Sequence, residues 1–141
     1  MFKSNDWYFC LVGEVSQENR SVEIVPTLHK PELICRYQSP TVALTDIQKR
    51  LTADPRKEAM VILDVEMTGM TVWEMVGALN DWETYITARM KIYVLLRRND
   101  WEGMIKVYIE PLVAGYLEKP LTARDYEDMI LKPGFSAHGD V

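Results

Sequence analysis

Asp64 and Glu66 stand two residues apart directly after an apolar run in AMVILDVEMTGM, residues 59–70, and Gly69 follows in the turn. Three further apolar runs also end at residues able to do chemistry. WYFCLVG leads to Gly13 and Glu14, KIYVLL to Leu96 and Arg97, and LVAGYLE to Lys119 and Pro120. Carboxylate oxygens with a backbone carbonyl suit a hard cation such as Mg²⁺, which keeps several waters and bridges to phosphoryl oxygens. A lysine on the opposite side would neutralise such an anionic group. Other chemistries lack their parts. His29 falls in a helical region and His138 in the tail, and no cysteine or serine has a base beside it. A metal-dependent hydrolase would need a positioned base and a second set of ligands. Flavin binding would need a hydroxyl- and glycine-rich loop where the chain has GEVSQEN.

These residues can meet only if the runs that carry them lie side by side. Five runs read as buried strands, over residues 7–13, 32–38, 59–63, 91–96 and 112–118. Between them the period changes to that of helices. Ser16 is expected to cap a helix over residues 16–30 that Pro26 shortens. Ser39 and Pro40 start a second, with Leu44, Ile47 and Leu51 on one face. Val72, Met75, Val76, Leu79 and Ile86 predict one long amphipathic helix. Asn99 and Glu102 resemble a capping box opening a helix that carries Met104, Ile105, Tyr108 and Ile109 and stops at Pro111. Thr122 and Asp125 form another such pair, with Leu121 and Tyr126 placed as a hydrophobic staple. Wholly apolar strands alternating with helices imply an α/β fold of five βα units, its parallel sheet covered on both faces. Such sheets bind ligands at the carboxyl ends of their strands, where the strand order reverses.

Composition narrows the setting. The chain has 141 residues, 48% of them hydrophobic, enough for one compact domain over residues 1–132 with a tail at 133–141. A net charge of −5, with basic residues clustered no further than pairs, Arg56 with Lys57 and Arg97 with Arg98 among them, argues against direct nucleic-acid binding. No apolar run approaches the ~20 residues of a membrane span. Cys10 and Cys35 read as buried free thiols in a cytoplasmic protein. Trp101, in a first helical turn, is expected to be exposed and to mark a partner surface.

The pair of motifs ILDVEMTGM and GYLEKPL, in that order and at the ends of the third and fifth strands, resembles the receiver domain of two-component response regulators. The resemblance runs from about Trp7 to Leu131. It implies a flavodoxin-like (βα)5 fold with strand order 2-1-3-4-5. It implies that Asp64 is the phosphoacceptor, receiving a phosphoryl group from a histidine kinase or phosphotransfer protein as an acyl phosphate. Glu14 and Asp64 would hold Mg²⁺ with their side chains, and Glu66 with its backbone carbonyl. Lys119 would contact the phosphoryl oxygens, with a cis peptide before Pro120, and Tyr116 would be the aromatic switch. Such a protein is a signalling domain rather than an enzyme. With no effector domain in view, a downstream partner would read the face of the fourth and fifth units, through which the family often forms homodimers.

Three departures bear on that expectation. Gly13 stands where the family has a second acid, so Mg²⁺ binding should be weaker. Leu96 replaces the switch serine or threonine and cannot donate a hydrogen bond to a phosphoryl group. Arg97 replaces a small residue and could reach Asp64 or Glu66, a permanent ion pair imitating part of the charge balance of phosphorylation. Two readings follow: an atypical receiver phosphorylated on Asp64, and a pseudo-receiver that binds partners without phosphoryl transfer.

Overall fold

The computed structural model describes residues 7–17 and 33–131. Five parallel strands form one sheet: β1 (Tyr8–Val12), β2 (Ile34–Tyr37), β3 (Ala59–Asp64), β4 (Met90–Leu96) and β5 (Val113–Glu118). Their order is β2-β1-β3-β4-β5, as expected for a flavodoxin-like (βα)5 fold. Every residue of β3 is buried, as a central strand covered on both faces requires. Alternate residues along each strand enter two separate layers. Cys10, Val12, Val61, Leu63, Val94 and Leu96 face one; Phe9, Leu11, Ile62, Tyr93, Leu95 and Leu117 face the other.

The first layer is closed by α1 (Pro40–Ala53), α2 (Val72–Asn80), the single turn α3 (Thr84–Thr87) and α4 (Trp101–Ile109). They contribute Ala43, Ile47, Leu51, Val72, Met75, Val76, Leu79, Ile86 and Val107. The second layer is closed by α5 (Ala123–Leu131), whose Tyr126 and Met129 pack with Leu121, Trp7 and Phe9. Ser39 caps α1 with Pro40 in its first turn, and Thr122 and Asp125 cap α5 reciprocally, at 2.9 and 3.1 Å. Both starts were legible because cap chemistry is local.

Three local expectations need correction. Ser16 does not cap a helix: it lies in a 3₁₀ turn, Glu14–Gln17, with its hydroxyl donated to the Gly13 carbonyl at 2.7 Å. The remainder of that expected helix lies outside the described residues. The expected long helix after Val72 is two, because Asp81, a residue suited to helix ends, closes α2 by bonding back to Ala78 and Leu79. α4 is capped by Asp100, which accepts from the Gly103 N–H at 2.9 Å; Asn99 has φ +60°, outside the extended backbone of a cap. Its core side is Gly103 and Val107, so Ile105, Tyr108 and Ile109 point outward with Trp101, which is 71% exposed as expected. No helix among the described residues is long and apolar enough to cross a membrane.

Arg89, which no periodicity singled out, holds the bottom of the sheet together. Its guanidinium donates to the carbonyls of Leu51 (2.7 Å), Asp54 (3.0 Å) and Lys57 (2.9 Å), satisfying acceptors that the end of α1 leaves open. Replacing Arg89 with Ala is expected to destabilise the fold by about 1.5–3 kcal/mol, as for hydrogen bonds made by a charged group. Arg89→Lys should recover only a minor part, since one ammonium cannot span three carbonyls. Urea unfolding of the three proteins measures this.

Candidate functional site

The chain leaves β1 to build β2 on one side and crosses back to build β3 on the other. The strand order therefore reverses between β1 and β3, which opens a crevice at their carboxyl ends. A cleft of about 300 Å³ lies there, lined by Glu14, Gln38, Val65, Glu66, Met67, Thr68 and Arg97. Asp64, the last residue of β3, lies beneath this cleft and is completely buried.

A buried carboxylate must be neutralised by hydrogen bonds or an opposite charge. Asp64 has both. Its Oδ1 accepts from the Glu66 backbone N–H at 2.8 Å and lies 2.8 Å from the Lys119 ammonium; its Oδ2 accepts from the Val15 backbone N–H at 2.8 Å. Lys119 directly follows β5, and the Lys119-Pro120 peptide after it is cis, as expected. Its ammonium also bonds the Glu66 carboxylate, so one cation bridges two acids. Partial burial disfavours that charge, but the hydrogen bonds to Asp64 and Glu66 outweigh it and raise the Lys119 pKa. Glu66 is held below its ordinary value, chiefly by Lys119 and secondarily by Arg97.

Arg97 pairs with Glu66 at 3.6 Å, through a largely exposed side chain. Leu96 is fully buried in the first layer, and Tyr116 is half-buried against it. The Glu66 carbonyl, an expected Mg²⁺ ligand, accepts the Glu14 N–H at 3.0 Å, and the Glu14 side chain is exposed. Among the described residues no three acidic, histidine or cysteine side chains are grouped to hold a metal ion. The Asp64 oxygens and this carbonyl are thus all engaged in hydrogen bonds within the protein.

Gly13 explains part of that. It has φ +101°, and a Cβ there would lie 2.8 Å from the Asp64 Cβ and 2.9 Å from the Glu66 carbonyl. The Asp64 side chain and the Glu66 carbonyl occupy the space where a second acid would stand. The sequence marked Gly13 as a missing charge; only the folded turn shows that it permits close approach. The participation of Val15 was not legible, because a backbone N–H carries no residue-type signal.

Gly13→Ala is expected to cost about 2 kcal/mol or more, from strained backbone and overpacking, measured by urea unfolding. The Glu66 carboxylate predicts a pH effect. A depressed folded-state pKa contributes stability above the ordinary 4.5, and that contribution is lost as pH falls through the lower folded value. Wild type should exceed Glu66→Gln by roughly 1 kcal/mol at neutral pH, and thermal melts should show the gap closing below that range.

No family model matches the chain, and no curated protein matches it in sequence. Solved structures do match in shape. A two component response regulator from Cytophaga hutchinsonii superposes with a TM-score of 0.73 at 20% identity, covering 89% of this chain and 94% of that one. A response regulator receiver protein from Dyadobacter fermentans gives 0.71 at 14%, covering 89% and 98%. A CheY-like receiver domain protein from Methanospirillum hungatei gives 0.57 at 20%, covering 92% and 93%. At these identities the likeness is one of architecture: the chain has the fold of response regulator receiver domains.

Proposed function

We propose that the protein is an atypical receiver, a signalling module in which Asp64 accepts a phosphoryl group from a histidine kinase or phosphotransfer protein and a partner protein reads the result. The observation that carries this reading is the 2.8 Å contact between Asp64 and Lys119 at the crevice where the strand order reverses. A carboxylate oxygen attacks phosphorus, the donor leaves, and an acyl phosphate remains. The Lys119 ammonium then neutralises phosphoryl oxygens. For this, Asp64 Oδ2 has to be released from the Val15 N–H, so the turn over residues 13–17 must open first. In that form Glu14, Asp64 and the Glu66 carbonyl would be the residues to hold Mg²⁺, which would supply further positive charge to the phosphoryl oxygens.

Signal transmission has to differ from the hydroxyl-aromatic coupling of the family, because Leu96 has no hydroxyl. Phosphate on Asp64 would instead compete for Lys119 with Glu66, and Glu66 is the link to Arg97 and the loop after β4. The exposed side of α4, with Trp101, Ile105, Tyr108 and Ile109, supplies apolar surface for a downstream partner or a second copy. The second reading, a pseudo-receiver, is favoured by one observation: Asp64 is wholly buried and both its oxygens are bonded within the protein.

Incubation with a small phosphodonor across a range of Mg²⁺, followed by intact-mass measurement, separates the two. The atypical receiver predicts a labile phosphate adduct that Asp64→Asn abolishes and that Lys119→Ala alters in yield or lifetime. Absence of an adduct at every Mg²⁺ level sinks the first reading and leaves the second.

A further inference from the structure

Cys10 and Cys35 are register partners on the adjacent parallel strands β1 and β2, and both are free and buried in the layer covered by α1. Paired strands run about 4.8 Å apart. Directly opposed cysteines therefore fall within the roughly 4.4–6.8 Å between Cα atoms that a disulfide spans. In a parallel pair the two side chains leave the sheet on the same face, one beside the other. Their Cβ atoms keep nearly the strand spacing, wider than the ~3.8 Å that a relaxed disulfide prefers. A bond across them would be strained, and strained disulfides are the readily reduced, reversible ones.

The two thiols are unequal. Cys35 is pulled down to about 7, first by its hydrogen bond with Cys10 and further by the Arg50 guanidinium and the Tyr37 hydroxyl, against the effect of burial. Cys10 is pushed up by the same hydrogen bond and by complete burial. Cys35 lies on the edge strand and is 5% exposed, whereas Cys10 is fully enclosed. The attacking thiolate and the resolving thiol are thus assigned by position as well as by charge.

We propose that Cys10 and Cys35 form a reversible dithiol–disulfide pair, oxidised by a hydroperoxide in the folded protein, that clamps edge strand β2 to β1. The Cys35 sulfur attacks the peroxide, the O–O bond breaks, and hydroxide or alkoxide leaves while Cys35 becomes a sulfenic acid. The Cys10 sulfur then attacks the Cys35 sulfur, the S–S bond forms, and the departing hydroxide leaves as water with the Cys10 proton. Two thiols are oxidised and one peroxide is reduced. The clamp lies just before Gly13, whose N–H bonds the Tyr37 carbonyl at 2.9 Å, so a change in β1–β2 spacing reaches the turn that covers Asp64.

The full chain is treated with hydrogen peroxide under native conditions, its thiols are counted by alkylation, and non-reduced peptides are mapped. Both thiols should disappear together without dimer formation, the Cys10 and Cys35 peptides should be joined, and dithiothreitol should restore both thiols. In Cys10→Ser, Cys35 should stop at a sulfenic acid trapped by dimedone. Thiols that react only after denaturant unfolds the chain, bonds between chains, or Cys35 over-oxidised with Cys10 intact would each overturn the proposal. The wild-type map decides the matter even if the serine variant does not fold, and it does not depend on phosphorylation of Asp64.

Discussion

The buried carboxylate of Asp64 is the interaction on which the upper edge of the sheet depends. It ties together three strand ends: β1 through the Val15 N–H, β3 through its own backbone and the Glu66 N–H, and β5 through Lys119. An ionised group in a dry site is tolerable only while its donors stay in place, and losing one leaves a buried charge uncompensated. The geometry of the crevice is therefore set by a charge balance. A covalent group on Asp64 would change that balance at all three strand ends.

The same balance gives the departures from the receiver pattern a common physical meaning. Gly13 lets the turn after β1 close directly onto Asp64, and Arg97 adds a second positive charge to Glu66. Leu96 fills the strand end with hydrocarbon. The helix above it answers with Gly103, where a Cβ would stand 2.8 Å from Leu96 Cδ2. A larger residue on the strand is thus matched by the smallest one on α4, and the helix sits close over the sheet. The outward side of α4 is largely apolar.

Away from the crevice, polar side chains secure backbone that the sheet and helices leave unfinished. Arg89 satisfies carbonyls at the end of α1 and in the loop before β3, and Tyr37, Asp46 and Arg50 bond in series between β2 and α1. This second group stands beside the paired cysteines, where the Arg50 charge favours both thiolates, while their mutual hydrogen bond and unequal burial set Cys35 below Cys10.

The amino-acid sequence by itself determined the five strands, their parallel arrangement, the caps at Ser39 and Thr122, and the placing of Asp64, Glu66 and Lys119 at strand ends. Apolar period, cap chemistry and strand termini are local properties, written in residue types. It read one helix where α2 and α3 stand and placed the cap of α4 at Asn99 instead of Asp100, because neighbouring polar residues differ little in cap chemistry, and it left open which acid Arg97 meets, which depends on residues far along the chain. The closing of the turn over Asp64 was beyond it altogether. That closure uses backbone N–H groups, which every residue but proline carries alike, and a glycine whose role is to be absent from a crowded space. Only the tertiary structure decides which of those groups turn inward, and here they turn toward the buried carboxylate of Asp64.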